Sequence, residues 1–181
     1  MKKINSKWMT ALFFTAAFNI TDAQTLQIDN DICTTGFLSV SFFPGDAGTN
    51  IDAGSIDLNR INAKAVRDFS RFYTANSGEK WYVASNGYFA KFSLNGNKGM
   101  AAYDLKGHWM FTIFNYGENK LPDDIRAAVR STYYNYEITC IDEIHFEDQI
   151  IYQVHMQDEK TWKNLLVSNG EMEISEDFYK K

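Results

Sequence analysis

The chain has few of the residues from which catalytic and metal centres are built: two cysteines, Cys33 and Cys140, and three histidines, His108, His145 and His155, in 181 residues. If 145 and 155 sit on facing strands of one hairpin, they point to opposite faces and make no metal pair. Cys140 and His145, five positions apart on one strand, also fall on opposite faces, so no Cys-His nucleophile is assembled. There is no G-x-S-x-G, H-E-x-x-H, P-loop or GxGxxG motif. The run Asp46, Asn50, Asp52 lacks calcium-loop chemistry, because Gly48 and Ile51 stand where that loop needs an oxygen ligand and a glycine. These absences argue against an enzyme and require no cofactor.

Basic clusters are missing too. The formal net charge is −5, from 18 Lys and Arg against 23 Asp and Glu. That balance excludes nucleic acid and anionic lipid as partners. No apolar run is long enough to span a bilayer. The longest, Trp8 to Ile20, follows three lysines and precedes Thr21-Asp22-Ala23, with small residues at the −3 and −1 places of a cleavage site. This is the layout of a secretory signal peptide over 1–23, and it predicts a periplasmic or secreted protein with no membrane insertion after cleavage. Removing Lys2, Lys3, Lys7 and Asp22 leaves 15 basic and 22 acidic residues, a net −7. In an oxidising compartment a Cys33–Cys140 bridge would close a long loop, and two buried thiols are the alternative.

What is present is a dense alternation of short strand-like segments and turns. Residues 24–57 form an N-terminal extension, with Phe37–Phe43 as a possible strand and a Gly/Asp-rich linker from Pro44 to Asp57. A helix then opens at Asn62, a capping residue, with Ile61 stapled onto Val66 and with Val66, Phe69, Ser70 and Tyr73 on one face. Strands are expected at Glu79–Ser85, Tyr88–Leu94, Gly99–Asp104 and His108–Asn115, divided by Asn86-Gly87, Asn95-Gly96 and Leu105–Gly107. A second helix opens with Leu121-Pro122-Asp123-Asp124. Proline costs no hydrogen bond there and the aspartates meet the positive end of the helix dipole. Ile125, Ala128, Val129 and Tyr133 form its apolar stripe. Four further strands follow: Tyr136–Phe146, Ile150–Gln157, Thr161–Val167 and Glu171–Ser175.

The pattern of one helix then four strands therefore occurs twice, with Tyr88 matching Tyr152 and Gly107 matching Gly170. The fold class expected is α+β, two tandem repeats of one helix followed by a four-stranded antiparallel sheet, over 58–116 and 117–181. An Asn86-Gly87 turn would set Trp81 against Phe92 and Val83 against Ala90. Trp109, Phe111 and Ile113 would join them under the helix. The other face would then carry Tyr82, Phe89, Lys91, Met100, His108, Met110 and Phe114. Such an open aromatic and methionine-bearing face suits a protein partner. The alternatives are that the N-terminal segment or the second sheet covers it, or that a small ligand or metal binds around His108.

The stretches "AVRDFSRFY", "YFAKF", "AAYDLKGHW", "LPDDIRAAV", "YYNYEI" and "IYQVHM" with a closing "NG" resemble the exported PepSY-like proteins grouped with the β-lactamase-inhibitor-like fold, across Ile61 to Ile174. The resemblance implies tandem helix-plus-four-strand units, export and no catalytic residues. For the inhibitors of that fold it implies an open aromatic sheet surface that grips an enzyme.

Overall fold

The computed structural model of the chain describes residues 58–84 and 86–180. The expected leader, the 24–57 extension and Cys33 lie outside these residues. Two helices and eight strands follow in the order α1 (Ala63–Phe72), β1 (Ser77–Ala84), β2 (Gly87–Leu94), β3 (Asn97–Asp104), β4 (Trp109–Tyr116), α2 (Asp123–Thr132), β5 (Glu137–Phe146), β6 (Gln149–Gln157), β7 (Thr161–Ser168) and β8 (Glu171–Tyr179).

The helices start where capping chemistry places them. Asn62 accepts from Lys64 N at 2.9 Å, and Pro122 precedes Asp123 and Asp124 in the first turn of α2. The Asn95-Gly96 turn has both residues at positive φ, 53° and 76°, the conformation a two-residue hairpin requires.

The expected pair of four-stranded sheets is not what forms. All eight strands make one antiparallel sheet in sequence order, β1 to β8. The join is β4 against β5, from Phe111 opposite Phe146 to Tyr116 opposite Ile141. Two separate sheets would leave these strands as edges with unpaired backbone groups, and pairing them satisfies both.

Both helices cover one face of this sheet. Ala65 and Phe69 of α1 pack on Trp81, Ala90, Phe92, Ala101 and Tyr103, with Phe69 edge-on to Trp81 and Phe92 at 5.4 and 5.1 Å. Val129 of α2, with Leu121, packs on Ile138, Ile141, Val154, Met156, Leu165 and Val167.

Two register findings correct the expected faces. The β1–β2 turn lies one residue earlier, between Ala84 and Gly87, which moves every partner by two: Trp81 faces Ala90 rather than Phe92 and Gly87 is already in the ladder opposite Ala84. A Cβ on Gly87 would lie 2.1 Å from Tyr103 O, so this glycine is required by strand approach and not by a turn. A shift of two keeps every side chain on its face. The second irregularity does not. Ala102 faces Phe111 and Tyr103 faces Trp109, so Met110 is a bulge residue on β4. The extra residue reverses the alternation beyond it. Trp109 stays under α1, Phe111 and Ile113 turn to the helix-free face, and Phe114 moves to the helix side.

Candidate binding face

The face opposite the helices has an apolar half and a polar half. The apolar half is centred on Ala102, Phe111, Ile113 and Ile144, all buried, with Met100, Met110, Phe146 and Ile151 packed around them. Tyr82 and Phe89 extend it onto β1 and β2 as a stacked pair, with centroids 5.0 Å apart and rings 13° from parallel. Lys91 Nζ lies 5.3 Å from the centre of the Tyr82 ring. That distance is within cation–π reach, and burial holds the Lys91 ammonium below its ordinary pKa.

The polar half is a continuous row across β4 to β8. Asn115 Nδ2 donates to Asp142 Oδ1 at 2.8 Å and to Cys140 Sγ at 3.0 Å. Asp142 Oδ2 lies 2.9 Å from His155 Nε2, and His155 Nδ1 lies 2.7 Å from Asn164 Oδ1. Asn164 Nδ2 donates onward to Glu176 Oε2 at 2.5 Å. Asn115 and Asp142 are 5 % and 3 % exposed, so the β4–β5 end of the row sits inside the protein, while Glu176 at its other end is exposed. A carboxylate that deep is tolerable because both its oxygens are partnered.

Of the expected face residues, Tyr82, Phe89, Lys91, Met100 and Met110 are on this side of the sheet. His108 is not at its centre. It lies in the β3–β4 turn, where its backbone N–H donates to Asp104 Oδ1 at 2.8 Å and its ring Nδ1 is 3.0 Å from Asp104 Oδ2. Those bonds, the backbone one first, hold the Asp104 carboxyl below its ordinary range. Phe114 is on the opposite face, against Tyr73, Phe92 and the His145 ring. Within the expected hairpin, a contact between His155 and Asp142 joins β5 and β6. It forms diagonally, since the residue directly opposite His155 is Cys140. The rest of the row went unseen, because Asn115, Asp142, His155 and Asn164 align only when four strands have their registers.

Chemically the row is saturated. Both His155 ring nitrogens face partners, so the imidazole is not directed at Cys140 Sγ. On the helix side, His145 Nε2 contacts Glu143 Oε1 at 2.5 Å and Tyr116 donates to Glu143 Oε2. The His145 bond is the main cause of a Glu143 pKa below the ordinary value. His145 and His155 thus sit on opposite faces. Among the described residues no group of three or more His, Cys, Asp or Glu side chains is arranged to hold a metal. Nor, among them, is any helix long and apolar enough to cross a membrane.

No family model matches the chain, and no curated protein matches it. Solved structures do. A BLIP-like protein from Bacteroides fragilis is 17% identical with a TM-score of 0.58, covering 71% of this chain and 90% of that one. A DUF2874 family protein from Bacteroides ovatus is 18% identical with a TM-score of 0.57, covering 66% and 87%. A protein from Bacteroides eggerthii, provisionally assigned to the periplasm, is 14% identical with a TM-score of 0.55, covering 66% and 88%. At these identities the comparisons establish the β-lactamase-inhibitor-like fold and nothing finer; the PepSY-like part of the resemblance finds no match.

Proposed function

We propose that the chain is a non-catalytic exported binding protein, an inhibitor or regulator of another envelope protein, which it engages through the helix-free face of the sheet. The observation that carries this is the apolar and aromatic half of that face. Stacked Tyr82 and Phe89, the partly buried Lys91 ammonium, and Met100 and Met110 lie side by side with no described helix over them. Aromatic and methionine side chains are enriched in the anchoring parts of protein interfaces, the aromatic rings burying large areas while only two torsions are fixed. Export is supported by the leader-like residues 1–23 and by the periplasmic assignment of one structural neighbour. Inhibition is supported by fold analogy with the BLIP-like neighbour.

The test is affinity capture from envelope extract with the chain as bait, followed by Tyr82→Ala, Phe89→Ala and Met110→Ala. Anchoring residues of an interface cost about 2 kcal/mol each on truncation, about 30-fold in affinity. Capture that survives all three substitutions together overturns the assignment of this face. The small-ligand reading around His108 has no observation favouring it, because that ring is engaged by Asp104 in an exposed turn.

A further inference from the structure

The polar row of the helix-free face sets a proton count as well as a chain of hydrogen bonds. The segment around His155 ends in a carboxylate on each side, Asp142 and Glu176, and an ionised carboxylate only accepts hydrogen bonds. Glu176 Oε2 lies 2.5 Å from Asn164 Nδ2, closer than two acceptors approach, so the amide nitrogen faces Glu176 and the amide oxygen faces His155. That oxygen, Asn164 Oδ1, is 2.7 Å from Nδ1 of the ring, so Nδ1 carries a hydrogen. At the other end Asp142 Oδ2 is 2.9 Å from Nε2 while its Oδ1 accepts from the Asn115 amide, so Nε2 carries a hydrogen too. A ring with hydrogens on both nitrogens is an imidazolium. In this arrangement a neutral ring sets a nitrogen lone pair against an oxygen lone pair, whichever nitrogen holds its single hydrogen.

The two contacts of the ring are not equally easy to give up. The Asp142 side chain is 4 % exposed and that of His155 18 %, whereas Glu176 is exposed. Taking the hydrogen from Nε2 would leave a buried carboxylate oxygen without its donor. Taking it from Nδ1 requires only a half-turn of the Asn164 amide. Nδ2 then donates to the bare Nδ1, and Oδ1 turns toward Glu176, whose carboxylate moves into water at little cost. Among the described strands, the titratable groups facing the ring are Asp142 and Cys140 from β5 and Glu176 from β8, while β4 and β7 present the amides of Asn115 and Asn164. Farther along the same face lie Glu137 and Lys180, both bonded to Gln157, and Glu173 opposite Leu166.

We infer that His155 is a proton-binding site whose charged form locks the row, and that loss of the proton from Nδ1 reverses the Asn164 amide and releases Glu176. With the proton bound, the row carries one positive and two negative charges, a net −1, and Asn164 holds Glu176 against the sheet. When the proton leaves for solvent the net charge becomes −2, and a free carboxylate stands on β8 beside the exposed pair Trp162 and Phe178. The row is thus a pH-sensitive latch at the β8 edge of the helix-free face. Neither the proton site nor the latch rests on the binding role proposed above.

The test is NMR of the isotope-labelled full chain. Long-range proton–nitrogen correlations of the imidazole rings report the hydrogens on Nδ1 and Nε2 separately as pH is raised from the acid end of the folded range. The chain has three histidines, so the His155 ring is the one whose signals survive both in His108→Gln and in His145→Gln. The expected course is two protonated nitrogens first, then loss of the hydrogen at Nδ1 alone. In step with that loss, a nitrogen–nitrogen coupling appears across the new hydrogen bond from Asn164 Nδ2 to Nδ1. A ring with one bare nitrogen at every pH at which the chain is folded overturns the proton site. Loss at Nε2 first, a ring that stays doubly protonated throughout, or a bare Nδ1 without coupling to Asn164 overturns the latch.

Discussion

Replacing Asp142 by alanine removes both acceptors that hold the polar row of the helix-free face together. Its Oδ1 takes the Asn115 amide at 2.8 Å, its Oδ2 lies 2.9 Å from His155 Nε2, and the side chain is 4 % exposed against 18 % for His155. Breaking one partner out of a buried polar pair costs about 3–5 kcal/mol, because the groups left behind stay desolvated. His155 retains some access to water, so the lower end applies, about 3 kcal/mol, or a melting temperature lower by about 6–12 °C for a domain of this size. Asp142→Asn should behave differently. Its oxygen can still accept from Asn115 while its amide donates to Nε2 of a neutral imidazole, whose Nδ1–H then serves Asn164 Oδ1. Glu176 already fixes that orientation of Asn164 by accepting from its amide. The cost should fall to about 1 kcal/mol, that of an ordinary hydrogen-bond change. Urea unfolding of Asp142→Ala, Asp142→Asn, His155→Ala and the Asp142→Ala/His155→Ala pair measures this, with a coupling of about 1–3 kcal/mol expected in the cycle. Additive single effects, or an Asp142→Asn variant as unstable as Asp142→Ala, would refute the account of the row.

Four further outcomes follow from the helix side. Phe69→Ala empties a fully buried site packed edge-on to two rings and should cost about 3–5 kcal/mol by urea unfolding. Tyr103→Phe should stabilise by about 1 kcal/mol, since the Tyr103 hydroxyl is buried with no hydrogen-bond partner and its removal ends a desolvation cost; a loss of stability would contradict this. Gly107→Ala should destabilise by about 1–3 kcal/mol, because φ is 78° and the new Cβ would sit 2.9 Å from Ala65 N at the start of α1. Glu143 has a folded pKa depressed by the His145 and Tyr116 hydrogen bonds, so the unfolded chain binds its proton first. Its contribution is present above 4.5, the ordinary value, and is lost as pH falls through the folded value; Glu143→Gln should flatten the acid limb of the stability curve.

The helices, their caps and most strands were legible because each is written in neighbouring residues: Asn62 before α1, Pro122-Asp123-Asp124 before α2, Asn95-Gly96 between β2 and β3. The β4–β5 seam was not, because residues 111–116 and 141–146 are joined through a helix and nothing local says whether two strand edges meet or face water. The bulge at Met110 was not legible either. Leu105-Lys106-Gly107 reads as a plain three-residue turn, and only the pairing of Tyr103 with Trp109 shows that β4 holds one residue more than its partner. That one residue decided the candidate face. It exchanged Phe114 for Phe111 and Ile113, and so replaced an expected rim of mixed polarity with an apolar centre running from β3 into β5 and β6. The seam and the bulge together make the face a single surface shared by both halves of the chain. Substitutions on β5 or β6, at Ile144 or Ile151, should therefore affect binding through Tyr82 and Phe89, which two independent four-stranded sheets would not allow.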